Sequence, residues 1–182
     1  MLRIIAGKYR SRLLKQPSEK TTRPTTDRAR EAIFSSIHFF IENKEFLDLF
    51  SGSGSFCLEA LSRGAKKATS VEKDKLAYKI ILENMHNLKE DNLNVFNIDA
   101  LTFLNKNLNK KYDYIYLDPP FIEKDLLIKC IDIISSNNML NLNGKIIIET
   151  DWKDFNYEKN NYKLIKNKKY GKIYIYFIEI AN

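Results

Sequence analysis

Histidine and cysteine are scarce in this chain of 182 residues, which holds only His38, His86, Cys57 and Cys130. With so few of either, zinc centres and histidine-based triads are not expected. Both cysteines fall in apolar helical patterns, where a free thiol acts as a small hydrophobe in a reducing compartment rather than as half a disulfide. No apolar run approaches the roughly 20 residues of a membrane span. The start, "MLRIIAGKYRSR", lacks the apolar segment of an export signal. These absences point to a cytoplasmic protein that makes no membrane contact.

Arginine is scarce as well, except in one place. Six of the seven arginines lie in residues 1–30, although lysine is the usual cation elsewhere. That segment holds Arg3, Lys8, Arg10, Arg12, Lys15, Lys20, Arg23, Arg28 and Arg30 against Glu19 and Asp27, which equals the whole net charge of +7. The remaining chain is balanced. The guanidinium fork suits phosphate and stacks on bases, and Tyr9 stands among these residues. The pattern points to nucleic-acid contact, with Arg3, Lys8, Arg10, Arg12 and Arg23 as the candidate contacts.

Periodicity predicts the order of elements. "LRIIAGKYRSRLLK" reads as a β-hairpin over residues 2–15, and "QPSEKTTRPTTD" as a polar connection. Pro24 to Asp27 offer cap chemistry for the helix "RAREAIFSSIHFFI". From Glu45 onward strands and helices alternate. The strands are "EFLDLF", "KATSVE", "LNVFNID", "YDYIYLD" and "GKIIIET"; the helices begin at "SFCLEAL", "DKLAYKI", "ALTFLNK" and "EKDLLIK". Such alternation predicts an α/β fold with a mostly parallel sheet and helices on both faces. The last stretch, "NYKLIKNKKYGKIYIYFIEI", reads as an antiparallel hairpin, giving seven strands in that sheet.

Two turns carry candidate chemistry. In "LDLFSGSGSFCLEAL" a strand runs through Gly52 and Gly54 into a helix, so bare backbone and free N–H groups can approach a ligand. Glu72 ends the next strand, about where a nucleotide-binding βαβ unit sets an acid on ribose hydroxyls. A dinucleotide fingerprint would need a third small residue where Cys57 stands. Asp48, four residues before Gly52, would repel a pyrophosphate but suits the ammonium of a methionine moiety. The set favours S-adenosylmethionine over a nicotinamide cofactor. Asp99, ending the third strand, reads either as an acceptor for an adenine amino group or as the N-cap of the following helix.

The second turn is "LDPPF". Asp118 ends a buried strand, the two prolines fix the backbone and leave carbonyl acceptors, and Phe121 adds a ring. An acid, a proline carbonyl and an aromatic plane suit a flat base bearing an exocyclic amine. Hydrogen bonds to Asp118 and the Pro119 carbonyl would aim the amine lone pair at a methyl donor, while Phe121 stacks on the base.

"DLFSGSG", "VEKD" and "LDPPF", in this order, resemble the motifs of class I S-adenosylmethionine-dependent methyltransferases with a Rossmann-like fold. Together with "RIIAGKYRSRLLK", "TRPTTDRAREAIF" and "LEALSRGA", they resemble the RsmD family, bacterial enzymes that methylate guanine N2 in 16S ribosomal RNA. The resemblance implies that Asp48, Gly52 and Gly54 line the methionine part of the cofactor. Glu72 would bind its ribose, and Asp99 and Ala100 its adenine. Asp118, Pro119 and Phe121 would hold the base. Phe121 stands where the family more often has tyrosine, which keeps the stacking plane and loses a hydroxyl. The family also implies a basic hairpin for RNA contact, here residues 1–24, ahead of a methyltransferase domain over residues 25–182. The expected substrate is 16S rRNA or a small-subunit particle, and the expected state is a monomer. A DNA adenine-N6 or cytosine-N4 methyltransferase is the rival enzyme, against which stands the lack of a separate duplex-reading domain. A non-catalytic RNA-binding module is the rival of another class.

Overall fold

The structure is a computed structural model that describes residues 2–17, 27–37 and 40–181. Two compact units divide at Ile98/Asp99.

In the first unit the expected hairpin forms as β1 (Leu2–Arg3) against β2 (Leu13–Leu14), antiparallel. α1 (Asp27–Ile37) follows. Its Ala29, Ile33, Phe34 and Ile37, at helical spacing, are all at most 1% exposed. Burying each of the three larger ones contributes about 1.5–3 kcal/mol. Phe34 stacks on Phe46 of the next strand at 6.0 Å between ring centroids. β3 (Glu45–Asp48), α2 (Ser55–Ser62), β4 (Lys67–Val71), α3 (Lys75–Leu88) and β5 (Leu93–Phe96) then alternate. The strands lie in the order β5-β4-β3 and pair in parallel, with Asp48 opposite Ser70 and Val71 opposite Phe96. β3 and β4 are buried along most of their length, whereas β5 at the edge buries only Leu93.

The second unit holds α4 (Ala100–Lys106), β6 (Tyr112–Leu117), α5 (Lys124–Ser136), β7 (Leu140–Thr150), β8 (Glu158–Lys159), β9 (Tyr162–Tyr170) and β10 (Ile173–Ile180). The strand order is β6-β7-β10-β9-β8; β6 and β7 are parallel and the rest antiparallel. The fold is therefore α/β with parallel strands and a C-terminal antiparallel hairpin.

All seven expected strands are present, with two differences in this unit. β7 starts at Leu140, four residues before "GKIIIET", because the strand absorbs an irregularity between its pairings to Tyr112 and Tyr114. Asn143 takes a φ of 65° there. A Cβ on Gly144 would stand 2.7 Å from the Asp113 carbonyl oxygen, so the approach demands glycine. β8 is additional. It folds back through Asn160 and Asn161, whose φ angles of 53° and 63° fit the two-residue turn that joins right-twisted strands. Among the described residues no helix is long and apolar enough to cross a membrane.

Candidate active site

In the first unit β3 delivers Asp48 to a turn that runs straight into α2. Asp48 is 1% exposed; its Oδ1 accepts the Phe50 N–H at 3.0 Å, and the Ser51 hydroxyl donates to its carbonyl oxygen at 3.1 Å. The Ser51 N–H reaches the Val71 carbonyl at 3.0 Å, which ties the turn to the end of β4. Gly54 caps α2 with φ 77°, and a Cβ there would stand 2.9 Å from Ile81 Cγ2. Both the left-handed backbone and the close approach require glycine.

Glu72, just after β4, braces the same turn. Its Oε2 accepts the Gly52 N–H at 2.8 Å and its Oε1 the Asp74 N–H at 2.8 Å. Asp74 in turn caps α3 by accepting from the N–H groups of Leu76 and Ala77. Asn97, after β5, donates to the Glu72 carbonyl at 2.8 Å.

The two acids face a common electrostatic problem. Burial pushes the Asp48 carboxyl up to about 7 from 3.8; the Phe50 N–H opposes the rise and the Glu72 charge adds to it. Burial likewise raises Glu72, against the N–H groups of Asp74 and Gly52. A cation placed at this turn would relieve both. Each Glu72 oxygen accepts one backbone N–H and keeps capacity for a further donor such as a ribose hydroxyl. The donor set therefore fits a nucleoside that bears an ammonium group.

In the second unit Asp99 is exposed and caps α4, its Oδ1 accepting the Thr102 N–H at 2.9 Å. Bonds from Thr102 hold its carboxyl below the ordinary aspartate value. The N-cap alternative is thus realised, and the oxygen not used for capping is the one a ligand could meet. Ala100, the first helical residue, is buried. Asp118 follows β6 directly and is half-buried, Pro119 is buried, Pro120 exposed and Phe121 half-buried. The Glu123 N–H donates to the Pro120 carbonyl at 2.7 Å and closes the turn before α5. The supporting strand is anchored internally: the Tyr116 hydroxyl donates to Glu149 of β7 at 2.8 Å, both side chains being buried.

The basic N-terminal segment packs closely on the first unit. Glu59 on α2, 0% exposed, accepts the N–H groups of Ile5 and Ala6 at 2.7 and 3.1 Å and pairs with Arg63 at 2.7 Å. Ser62 binds both Ala6 and Tyr9. Asn84 on α3 exchanges hydrogen bonds with the backbone of Lys15 at 2.8 and 3.0 Å and donates to the Ser53 carbonyl at 3.0 Å, so it joins the segment to the glycine turn. Arg3, Lys8, Arg10 and Arg12 are all exposed. Lys8 pairs with Glu90 at 2.8 Å, and Arg12 donates to the Asn87 carbonyl at 3.1 Å. Arg23, and the capping residues Pro24 to Thr26, lie outside the described residues.

Sequence reasoning missed Glu59 and Asn84. Asn84 had a legible signal, because it falls on the buried stripe of α3 between Ala77, Ile81 and Leu88. A polar residue on such a stripe needs buried partners.

The family model described as conserved hypothetical protein 95 matches residues 2–179. Ribosomal RNA small subunit methyltransferase D of Haemophilus influenzae is 38% identical over 173 residues, which cover 93% of this chain and 89% of that protein. The enzyme of the same name from Escherichia coli K12 is 37% identical over 150 residues, 82% of this chain and 75% of its own. The solved structure of the Escherichia coli protein yhhF superposes with a TM-score of 0.88 at 33% identity, covering 99% of this chain and 98% of that one. With its α/β fold, its glycine turn and its Asp-Pro-Pro-Phe turn, the chain belongs to this methyltransferase family, the RsmD family.

Proposed function

We propose that the protein transfers the methyl group of S-adenosylmethionine to the exocyclic N2 of a guanine in 16S ribosomal RNA. The observation that carries this reading is the Asp118–Phe121 turn at the end of β6, in a chain that matches small-subunit ribosomal RNA methyltransferases D along most of its length. When bound, S-adenosylmethionine supplies an electrophilic methyl group on a sulfonium. Gly52 and Gly54 would let backbone approach its methionine part, and the buried Asp48 would favour the ammonium through its negative field. Glu72 would accept from the ribose hydroxyls, and Asp99 with Ala100 would border the adenine.

A guanine N2 amine is a poor nucleophile because its lone pair is delocalised into the ring. Asp118 and the Pro119 carbonyl would each accept one of its N–H bonds, which turns the lone pair out of conjugation and aims it. Phe121 would support the base face. As the N–C bond forms and the methyl leaves sulfur, positive charge would grow on nitrogen; the Asp118 carboxylate would stabilise it and accept the proton released. Arg3, Lys8, Arg10, Arg12 and Arg23 would hold RNA phosphates. The rest of the reading is a cytoplasmic monomer, with no need of a metal, acting on free 16S rRNA or on a small-subunit particle.

The test is Asp118→Ala. Its S-adenosylmethionine affinity, measured by calorimetry, should match the parent protein, while methyl incorporation into small-subunit RNA falls by about 10²–10³-fold, the scale of losing one charge-stabilising group. Full-rate methylation by this variant would remove Asp118 from the chemistry.

A further inference from the structure

Charge outside the N-terminus is balanced only in sum. Between Lys159 and Lys172 there are six lysines and no acid. Lys159 pairs with Asp132 at 3.0 Å. The other five, Lys163, Lys166, Lys168, Lys169 and Lys172, belong to β9 and to the two-residue loop before β10. Among the described residues none of the five is paired with a carboxylate. Four are exposed and Lys168 is half-buried.

The hairpin is built to present them. β8 pairs only with Tyr162 and Lys163, so, among the described residues, 165–170 form an open sheet edge. The Lys166 ammonium lies over the Phe177 ring at 5.9 Å and the Lys169 ammonium over the Tyr174 ring at 5.5 Å, on opposite faces of the hairpin, so cations flank the edge on both sides. Gly171, with φ 60°, makes a tight tip with nothing within 4 Å of an added Cβ. The field is felt nearby: burial lowers the Lys145 ammonium and the Lys166 charge lowers it further. At about 3.4 Å per residue, β9 spans roughly 30 Å, enough to follow several phosphates of one strand.

We propose that the β9–β10 hairpin is a second RNA-contact surface, in which Lys163, Lys166, Lys168, Lys169 and Lys172 hold phosphate groups. This rests on the RNA-methyltransferase reading and extends it to a segment that the methyl-transfer chemistry does not use. Lysines on an edge strand also prevent edge-to-edge pairing, but one or two suffice for that. Five without an intervening acid, beside a half-exposed Tyr170 on which a base can stack, match a nucleic-acid strand. An anionic bilayer fits less well, since Ile165, 41% exposed, is the one exposed large apolar residue on β9.

The experiment compares the parent protein with a Lys166→Gln/Lys169→Gln/Lys172→Gln variant on a transcript of small-subunit ribosomal RNA. Three lost phosphate contacts should reduce the slope of log affinity against log salt by about 2 and lower affinity at 0.1 M salt about a hundredfold. S-adenosylmethionine affinity and the unfolding midpoint should stay unchanged, and the matching Lys→Arg variant should bind RNA like the parent. Unchanged RNA affinity and slope in the Gln variant would overturn the proposal. So would a variant that self-associates yet binds RNA normally, or one that loses only binding to anionic phospholipid vesicles. A parent protein that neither binds nor methylates the transcript would instead count against the reading on which the proposal rests.

Discussion

Asp48 shows how one buried carboxyl can link stability, pH and ligand. Its folded value is about 7 against 3.8, so the folded protein prefers it protonated. That preference is fully present below the unfolded value and is lost as pH rises through the folded one. Across that window the loss amounts to about 4 kcal/mol. Asp48→Asn removes the titration while keeping an acceptor for Phe50. Urea unfolding of the ligand-free protein at pH 5 and pH 8 should therefore show a clearly smaller difference in the variant. An equal difference would place the titration elsewhere. Gly54 is the second single-residue test. Ala at φ 77°, with its Cβ 2.9 Å from Ile81 Cγ2, should cost about 1–3 kcal/mol and weaken S-adenosylmethionine binding by displacing the turn. A Gly54→Ala protein with parental stability would show that the turn relaxes freely.

At the scale of elements, the N-terminal hairpin is held by α2 and α3 as much as it is exposed for contact. Removing it whole would strand Glu59, which is 0% exposed and binds Ile5, Ala6 and Arg63. A truncation would therefore mix loss of RNA contact with loss of stability. Glu59→Ala should cost about 3–5 kcal/mol, because the 6%-exposed Arg63 and two half-buried N–H groups lose their acceptor. Thermal unfolding checks it, and a shift within a degree of the parent would argue that the hairpin is not anchored there. Point substitutions isolate the RNA role: Arg3→Gln/Arg10→Gln should lower RNA affinity and its salt dependence without moving the unfolding midpoint. Normal RNA affinity in that variant would remove these two arginines from the interface.

Over the whole molecule, most of the architecture was legible because it depends on local pattern. Apolar runs between glycine and asparagine turns announced β3 to β7, and the switch to alternation after Trp152 announced the final hairpin. The glycine turn and the Asp-Pro-Pro-Phe turn were legible because each joins a chemical group to a backbone constraint. What escaped depends on distance along the chain. The bonds of Glu59 to Ile5 and of Asn84 to Lys15 span more than 50 residues. The 140–150 strand was read short because "NLNG" looks like a turn, whereas pairing with Tyr112 and Tyr114 holds it extended around its irregularity. Counting charge over the whole remainder hid the lysines of 159–172 behind the acids of other segments.

The central claim concerns what the Asp118 turn receives. The direct measurement is to incubate the protein with labelled S-adenosylmethionine and, separately, 16S rRNA, small-subunit particles and DNA, then to digest the product and identify the modified nucleoside. The account predicts N2-methylguanosine from the ribosomal substrate, at a rate strongly reduced by Asp118→Ala, and no label in DNA. Label on adenine or cytosine, or in DNA alone, would contradict it.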